Sequence, residues 1–166
     1  SAGIVSEGTR LGSILMHAEL EALICSGAVR GKQQTYALVD QRAPDAVRLE
    51  PDEALAELVR RYFTSHGPAT IKDCAGWASL TLADVRRGIA MVDDALDAAE
   101  VNGLTYWFGT PLSPVASVPE PHALLVQGYD EYVMGYFETR HQMVGKDLFE
   151  RSDQNPLLHI VLVNGV

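Results

Sequence analysis

The sequence predicts an α+β fold, and three observations predict it: apolar stripes at helical spacing near the N-terminus and from Pro51 onward, two threonine-led helix starts at Thr70 and Thr81, and the pair Asn102-Gly103 between two strand-like runs. Leu11, Ile14, Leu15, Ala18, Ala22 and Cys25 recur on one helical face behind Thr9 as N-cap, so a helix is expected from about 10 to 23. Past Gly27, the corner Arg30-Gly31-Lys32 separates a short apolar run from the β-rich Thr35-Tyr36-Ala37-Leu38-Val39, which reads as a hairpin, and Pro44 ends this unit.

Pro51, at a first helical position, opens the next helix. Its Leu55, Leu58, Val59 and Tyr62 share a face, and Gly67-Pro68 stops it. Thr70 with Asp73 has the spacing of a capping box, in which the hydroxyl accepts an orphan backbone N–H and the carboxylate reaches back. Thr81 with Asp84 repeats the device, so two helices, roughly 71–78 and 82–92, are expected around a tight Ser79-Leu80-Thr81 corner. Asn102-Gly103, flanked by 97–101 and 104–108, then supplies the two φ > 0 positions of a type I′ hairpin turn. Helix, helix, tight turn, helix, hairpin is the order of a winged helix. Residues 111–121 hold four prolines and read as an extended linker. Strand-like runs at 123–127 and 157–163 then suggest the start of a small β-rich domain.

Composition narrows the function classes. With 166 residues, 47% hydrophobic and 21% charged, the chain can fill one medium core or two to three small ones, which excludes intrinsic disorder. No run approaches the ~18 apolar residues of a membrane helix, and SAGIVSEG lacks the features of a secretory signal, so a cytoplasmic chain with no membrane partner is expected. Cys25 and Cys74 lie far apart with no ligand-spaced neighbour and read as small buried hydrophobes. Asn164-Gly165 is a second turn pair with no strand after it, which reads as a piece of a longer protein.

The net charge of −9 divides as −1 over 1–51, −4 over 52–109 and −4 over 110–166, so no segment is basic. Counterion release from DNA needs a positive face, and here only local clusters supply one. Arg86 and Arg87 sit mid-way along the helix after the tight turn, where guanidinium forks meet phosphates or guanine edges; the bland alternative is a solvated face with Asp84 paired to Arg87. Lys72 lies at the start of the preceding helix, beside free N–H groups that suit a phosphate. Arg30 and Lys32 with Gln33 and Gln34 put two cations and two amides on a hairpin tip able to follow a backbone or enter a minor groove, though exposed turns are polar in any case.

Tyr36, Tyr106, Trp107 and Phe108 read as core rather than stacking platforms. Asp130 and Glu131 are adjacent carboxylates, which share one site only if the backbone turns between them. His17 and Glu21 stand at i,i+4 without a third ligand, so no metal site is expected. No phosphate loop, nucleophile elbow or dinucleotide fingerprint is present.

The runs LMHAELEALICSGAVRGKQQTYALVDQRAP, EALAELVRRYFTSHGPATIKDCAGWASLTLADVRRGI and LLVQGYDEYVMGY closely resemble, in order, the bacterial family of tandem winged-helix proteins that includes the DNA glycosylases acting on interstrand crosslinks and alkylated bases. Most specific are RYF-x-x-HGPAT at 61–70, W-x-x-L-T-x-x-D-x-R-R at 77–87 and YDEY at 129–132. The resemblance implies a partial winged unit over 1–45, a complete one over 50–110, the linker, and a truncated β-rich domain over 122–166. It also implies double-stranded DNA as partner, and in the parent protein hydrolysis of an N-glycosidic bond with no metal or organic cofactor.

That family positions its water with a Gln-x-Gln or Gln-x-Asp motif. Here Gln33 and Gln34 are adjacent, and Gln41, Gln127, Gln142 and Gln154 have no partner at that spacing, so no residue of this chain is assigned a catalytic role. A winged-helix transcription regulator and a non-DNA interaction module stay open beside the repair reading.

Overall fold

A computed structural model describes residues 8–110, 122–144 and 160–163. The chain divides into two compact units, Ser1–Arg48 and Leu49–Val166.

In the first unit, α1 (Gly8–Leu20) precedes a short antiparallel hairpin of β1 (Ile24–Ser26) and β2 (Tyr36–Leu38), with Cys25 opposite Ala37, and α2 (Val39–Arg42) follows directly. The expected helix thus starts two residues earlier and ends sooner: Ala22 takes a left-handed backbone, and the chain turns into β1. Its apolar stripe is less covered than the periodicity suggests, because two three-residue strands give it little surface to pack on. No α1 residue is buried, and Leu11 and Ile14 are exposed. Cys25, expected inside, is only half-buried for the same reason, whereas Cys74 of the second unit is fully buried.

The second unit carries the main core. Helix α3 (Pro51–His66) begins with Pro51 at its first turn, where the absent N–H costs nothing, while Glu53 accepts the Glu50 N–H at 3.2 Å. It buries Leu55, Val59, Tyr62 and Phe63, and Leu58 lies half-buried at the edge of that face. Next come α4 (Ile71–Ala78) and α5 (Leu82–Met91), with Ser79 left-handed at the corner between them. Cys74, Ala75, Val85 and Ile89 close the core against α3. Gly88 permits the closest approach, since a Cβ there would stand 2.5 Å from Cγ2 of Val59.

A hairpin of β3 (Leu96–Val101) and β4 (Leu104–Gly109) follows, pairing Val101 with Leu104 around Asn102-Gly103, both of which have positive φ. Ala69, just ahead of α4, joins the hairpin edge: its N–H donates to the Trp107 carbonyl at 3.0 Å and its carbonyl accepts the Trp107 N–H at 2.8 Å. Trp107 is half-buried against the core, in keeping with the expectation for the aromatic strand.

The expected linker over 111–121 and the turn at Asn164-Gly165 lie outside the described residues. After residue 121, β5 (Ala123–Val126) pairs antiparallel with β6 (Ile160–Val163). Over 131–144, where the sequence reading assigned no element, α6 (Glu131–Met134) and α7 (Arg140–Val144) bracket a bend. Side chains of α3 and α4 hold this segment. No described helix is long and apolar enough to cross a membrane.

Candidate nucleic-acid interface

Helix α5 starts at Thr81, whose hydroxyl oxygen accepts the Asp84 N–H at 3.1 Å and whose O–H donates to the Asp84 carboxylate at 2.5 Å. Donation from Thr81 and, after it, the Arg87 charge hold the Asp84 carboxyl below the usual range. The two arginines on this helix differ. Arg87 is committed: Nη1 donates to Asp52 at 2.5 Å and Nη2 to Asp84 at 3.4 Å. Arg86 is exposed and has no ion pair among the described residues.

Lys72, on the first turn of α4, is also committed, with Nζ 2.5 Å from Glu138. Lys72 and Arg86 line one groove between α4, α5 and the β3–β4 turn. Arg30, Lys32, Gln33 and Gln34 are all exposed on the β1–β2 connection, where Arg30 and Gln33 exchange backbone hydrogen bonds of 3.0 and 3.1 Å around Gly31. The three cations of the second unit singled out from sequence are therefore unequal, and only Arg86 presents an uncommitted guanidinium.

The family-model comparison covers residues 5–166, under the description DNA glycosylase AlkZ-like. The chain belongs to the AlkZ-like DNA glycosylase family. Among curated proteins, it is 29% identical over 131 residues to the interstrand DNA cross-link repair glycosylase of Streptomyces sahachiroi, covering 75% of this chain and 35% of that protein. Among solved structures, the Streptomyces sahachiroi DNA glycosylase AlkZ superposes with a TM-score of 0.75 at 22% identity, over 95% of this chain and 45% of that one. The chain thus spans about a third of the curated relative's length.

In this AlkZ-like chain Tyr62, His66, Asp73, Trp77 and Glu131 meet the bend around 135–139 at a joint that sequence reading missed. Asp73, fully buried, receives six hydrogen bonds: Oδ1 accepts the N–H groups of Phe137, Glu138 and Thr139 at 2.8, 2.6 and 3.0 Å, and Oδ2 accepts from Thr70 N, Thr70 Oγ1 and Thr139 Oγ1 at 3.0, 3.0 and 2.9 Å. Burial alone would raise its pKa, yet the N–H and hydroxyl donors hold the carboxyl below the ordinary value. Beside it, the Tyr62 hydroxyl donates to the Gly135 carbonyl at 2.6 Å, and the Tyr136 hydroxyl donates to the His66 carbonyl at 2.8 Å. The Tyr62 and His66 rings stack with centroids 4.7 Å apart. A Cβ on Gly135 would fall 2.6 Å from the His66 ring, so the bend packs tightly against α3.

The adjacent carboxylates Asp130 and Glu131 have separate partners. Asp130 accepts the Tyr132 N–H at 2.9 Å as N-cap of α6. Glu131 accepts the Trp77 indole N–H at 2.9 Å and faces His66 Nε2 at 3.1 Å. Glu131 alone reaches across to α3 and α4, while Asp130 caps the local helix. Thr70, the partner of Asp73, shows why the signal was half legible: its capping box announced Asp73, but no local period marks the donors sixty-four to sixty-six residues away. Among the described residues, no group of three or more His, Cys, Asp or Glu side chains is arranged to hold a metal ion.

Proposed function

We propose that this chain is a double-stranded-DNA-binding portion of a repair glycosylase, built from winged-helix modules in tandem. In this reading α3 to α5 with the β3–β4 hairpin form one winged helix, α5 is its groove-facing helix, and α1 with the β1–β2 hairpin is the remnant of another. The observation that carries it is Arg86: an exposed guanidinium on α5 with no carboxylate partner among the described residues, whereas Arg60, Arg61, Lys72 and Arg87 are ion-paired and Arg140 is held by the Val133 and Tyr136 carbonyls. Arg87 and Lys72 contribute by releasing Asp52, Asp84 and Glu138 when a phosphate arrives, and Arg30, Lys32, Gln33 and Gln34 contact the backbone from the hairpin tip.

In this reading the whole protein hydrolyses the N-glycosidic bond of an alkylated or crosslinked base; the Streptomyces sahachiroi relative is named an interstrand DNA cross-link repair glycosylase. None of the six glutamines here has the Gln-x-Gln or Gln-x-Asp spacing, so the water-positioning step is not assigned to this chain. The test is anisotropy of a labelled ~20-bp duplex titrated with the chain at 50 and 200 mM salt. The expected result is binding at low salt that weakens steeply at high salt. Arg30→Ala combined with Lys32→Ala should weaken it uniformly across duplex sequences. No binding at low salt, or an affinity indifferent to salt, sinks the proposal and leaves the non-DNA interaction module that the net charge of −9 favours.

A further inference from the structure

The groove beside Arg86 encloses about 570 Å³, within the ~300–1,000 Å³ span of small-molecule sites. Its floor is apolar, formed by Ile71, Ile89, Leu104 and Trp107. The Trp107 backbone is held there by its paired hydrogen bonds with Ala69, and its side chain packs half-buried against the core. Charge at the rim is uneven. Lys72 and Glu138 neutralise one another across 2.5 Å, which leaves Arg86 as the one lining charge without an ion pair among the described residues.

We propose that this groove is a binding site for a small aromatic acid, a planar ring system bearing a single carboxylate. The ring lies over the apolar floor and Trp107, and the carboxylate takes the Arg86 fork, whose two parallel N–H donors match a carboxylate's two oxygens. A nucleobase fits less well. Each base brings both donor and acceptor edge atoms, while the Thr70 hydroxyl is already spent on Asp73 and the Lys72–Glu138 pair is closed, leaving Arg86, which only donates, and the Thr105 hydroxyl as the lining side chains able to answer them. Site occupancy does not require the chain to bind DNA. Where Arg86 also meets phosphate, the acid competes with the duplex, and that consequence alone rests on the proposed function.

The test uses the 166-residue chain with biphenyl-4-carboxylate and its neutral isostere biphenyl-4-carboxamide, by calorimetry and by methyl shifts of Ile71, Ile89 and Leu104. The acid should bind at least about tenfold more tightly than the amide and shift those methyls. Arg86→Gln should remove the acid's advantage, and Ala90→Trp, which fills the groove from an exposed position, should abolish binding of both with the circular dichroism unchanged. Equal binding of acid and amide to the unmodified chain overturns the proposal whatever the variants do. So does undiminished binding to Arg86→Gln, methyl shifts elsewhere, or thymidine monophosphate binding at least as tightly as the acid, which would make the occupant a nucleotide.

Discussion

Thr139 grips the buried carboxylate of Asp73 with both of its donors, the backbone N–H reaching Oδ1 at 3.0 Å and the hydroxyl reaching Oδ2 at 2.9 Å. The carboxylate that caps α4 therefore also fastens the bend between α6 and α7. One side chain does two jobs: it caps the start of a helix and it staples a segment distant in sequence.

Removing that carboxylate strands six donors in a buried place. Asp73→Ala should cost about 3–5 kcal/mol of unfolding free energy, and Asp73→Asn less, because its amide keeps one acceptor but turns two donors toward donors. A urea titration followed by circular dichroism reads this directly. A loss under ~1 kcal/mol for the alanine variant would show that the staple is not closed in solution.

The same carboxylate sets an acid limit. Its folded pKa lies below the ~3.9 of an unfolded aspartate, because the donors outweigh the burial that pushes the other way. A depressed carboxyl contributes stability that is present above about pH 4 and is lost as pH falls through the folded value. The urea midpoint should drop between pH 5 and pH 3, and Asp73→Asn should flatten that drop. A smaller acid response remains in the variant from Asp84, held down by Thr81, and from Glu57, drawn to about 2 by hydrogen bonds from Arg60 and Arg61. An unchanged slope in Asp73→Asn would place the acid sensitivity on those surface groups instead.

Gly88 tests the α3–α5 contact. Alanine ordinarily improves a helix by ~1 kcal/mol over glycine. Here its methyl would meet Cγ2 of the fully buried Val59 at 2.5 Å, and overpacking of that kind costs about 1–3 kcal/mol. Gly88→Ala should therefore lower the urea midpoint, while Gly12→Ala in α1, with nothing within 4 Å of the new methyl, should leave it unchanged or raise it. A stabilised Gly88→Ala would mean that the two helices sit further apart.

What the sequence made legible was local. Pro51, the Thr70–Asp73 box and Asn102-Gly103 are signals whose physics is complete within four residues, and each lies where the structure has a helix start or a turn. The bend around 135–139 was opaque because its fixing groups are Asp73, Tyr62 and His66, brought together only by folding. The difference between Arg86 and Arg87 was half legible: the i,i+3 spacing announced Asp84 for Arg87, but Asp52 reaches it from the start of another helix. The α1 stripe misled for the opposite reason, since periodicity reports which face is apolar and not how much of it is covered.

If Arg86 is the uncommitted cation of a DNA-facing helix, as proposed, duplex affinity across a salt series for the unmodified chain, Arg86→Ala and Arg87→Ala will show it. Arg86→Ala should weaken binding and lower the slope of log affinity against log salt by about 1, the share of a single phosphate contact, with a smaller effect from Arg87→Ala because Asp52 and Asp84 already hold that side chain. An Arg86→Ala chain that binds as tightly as the unmodified chain, with the same slope, would contradict it.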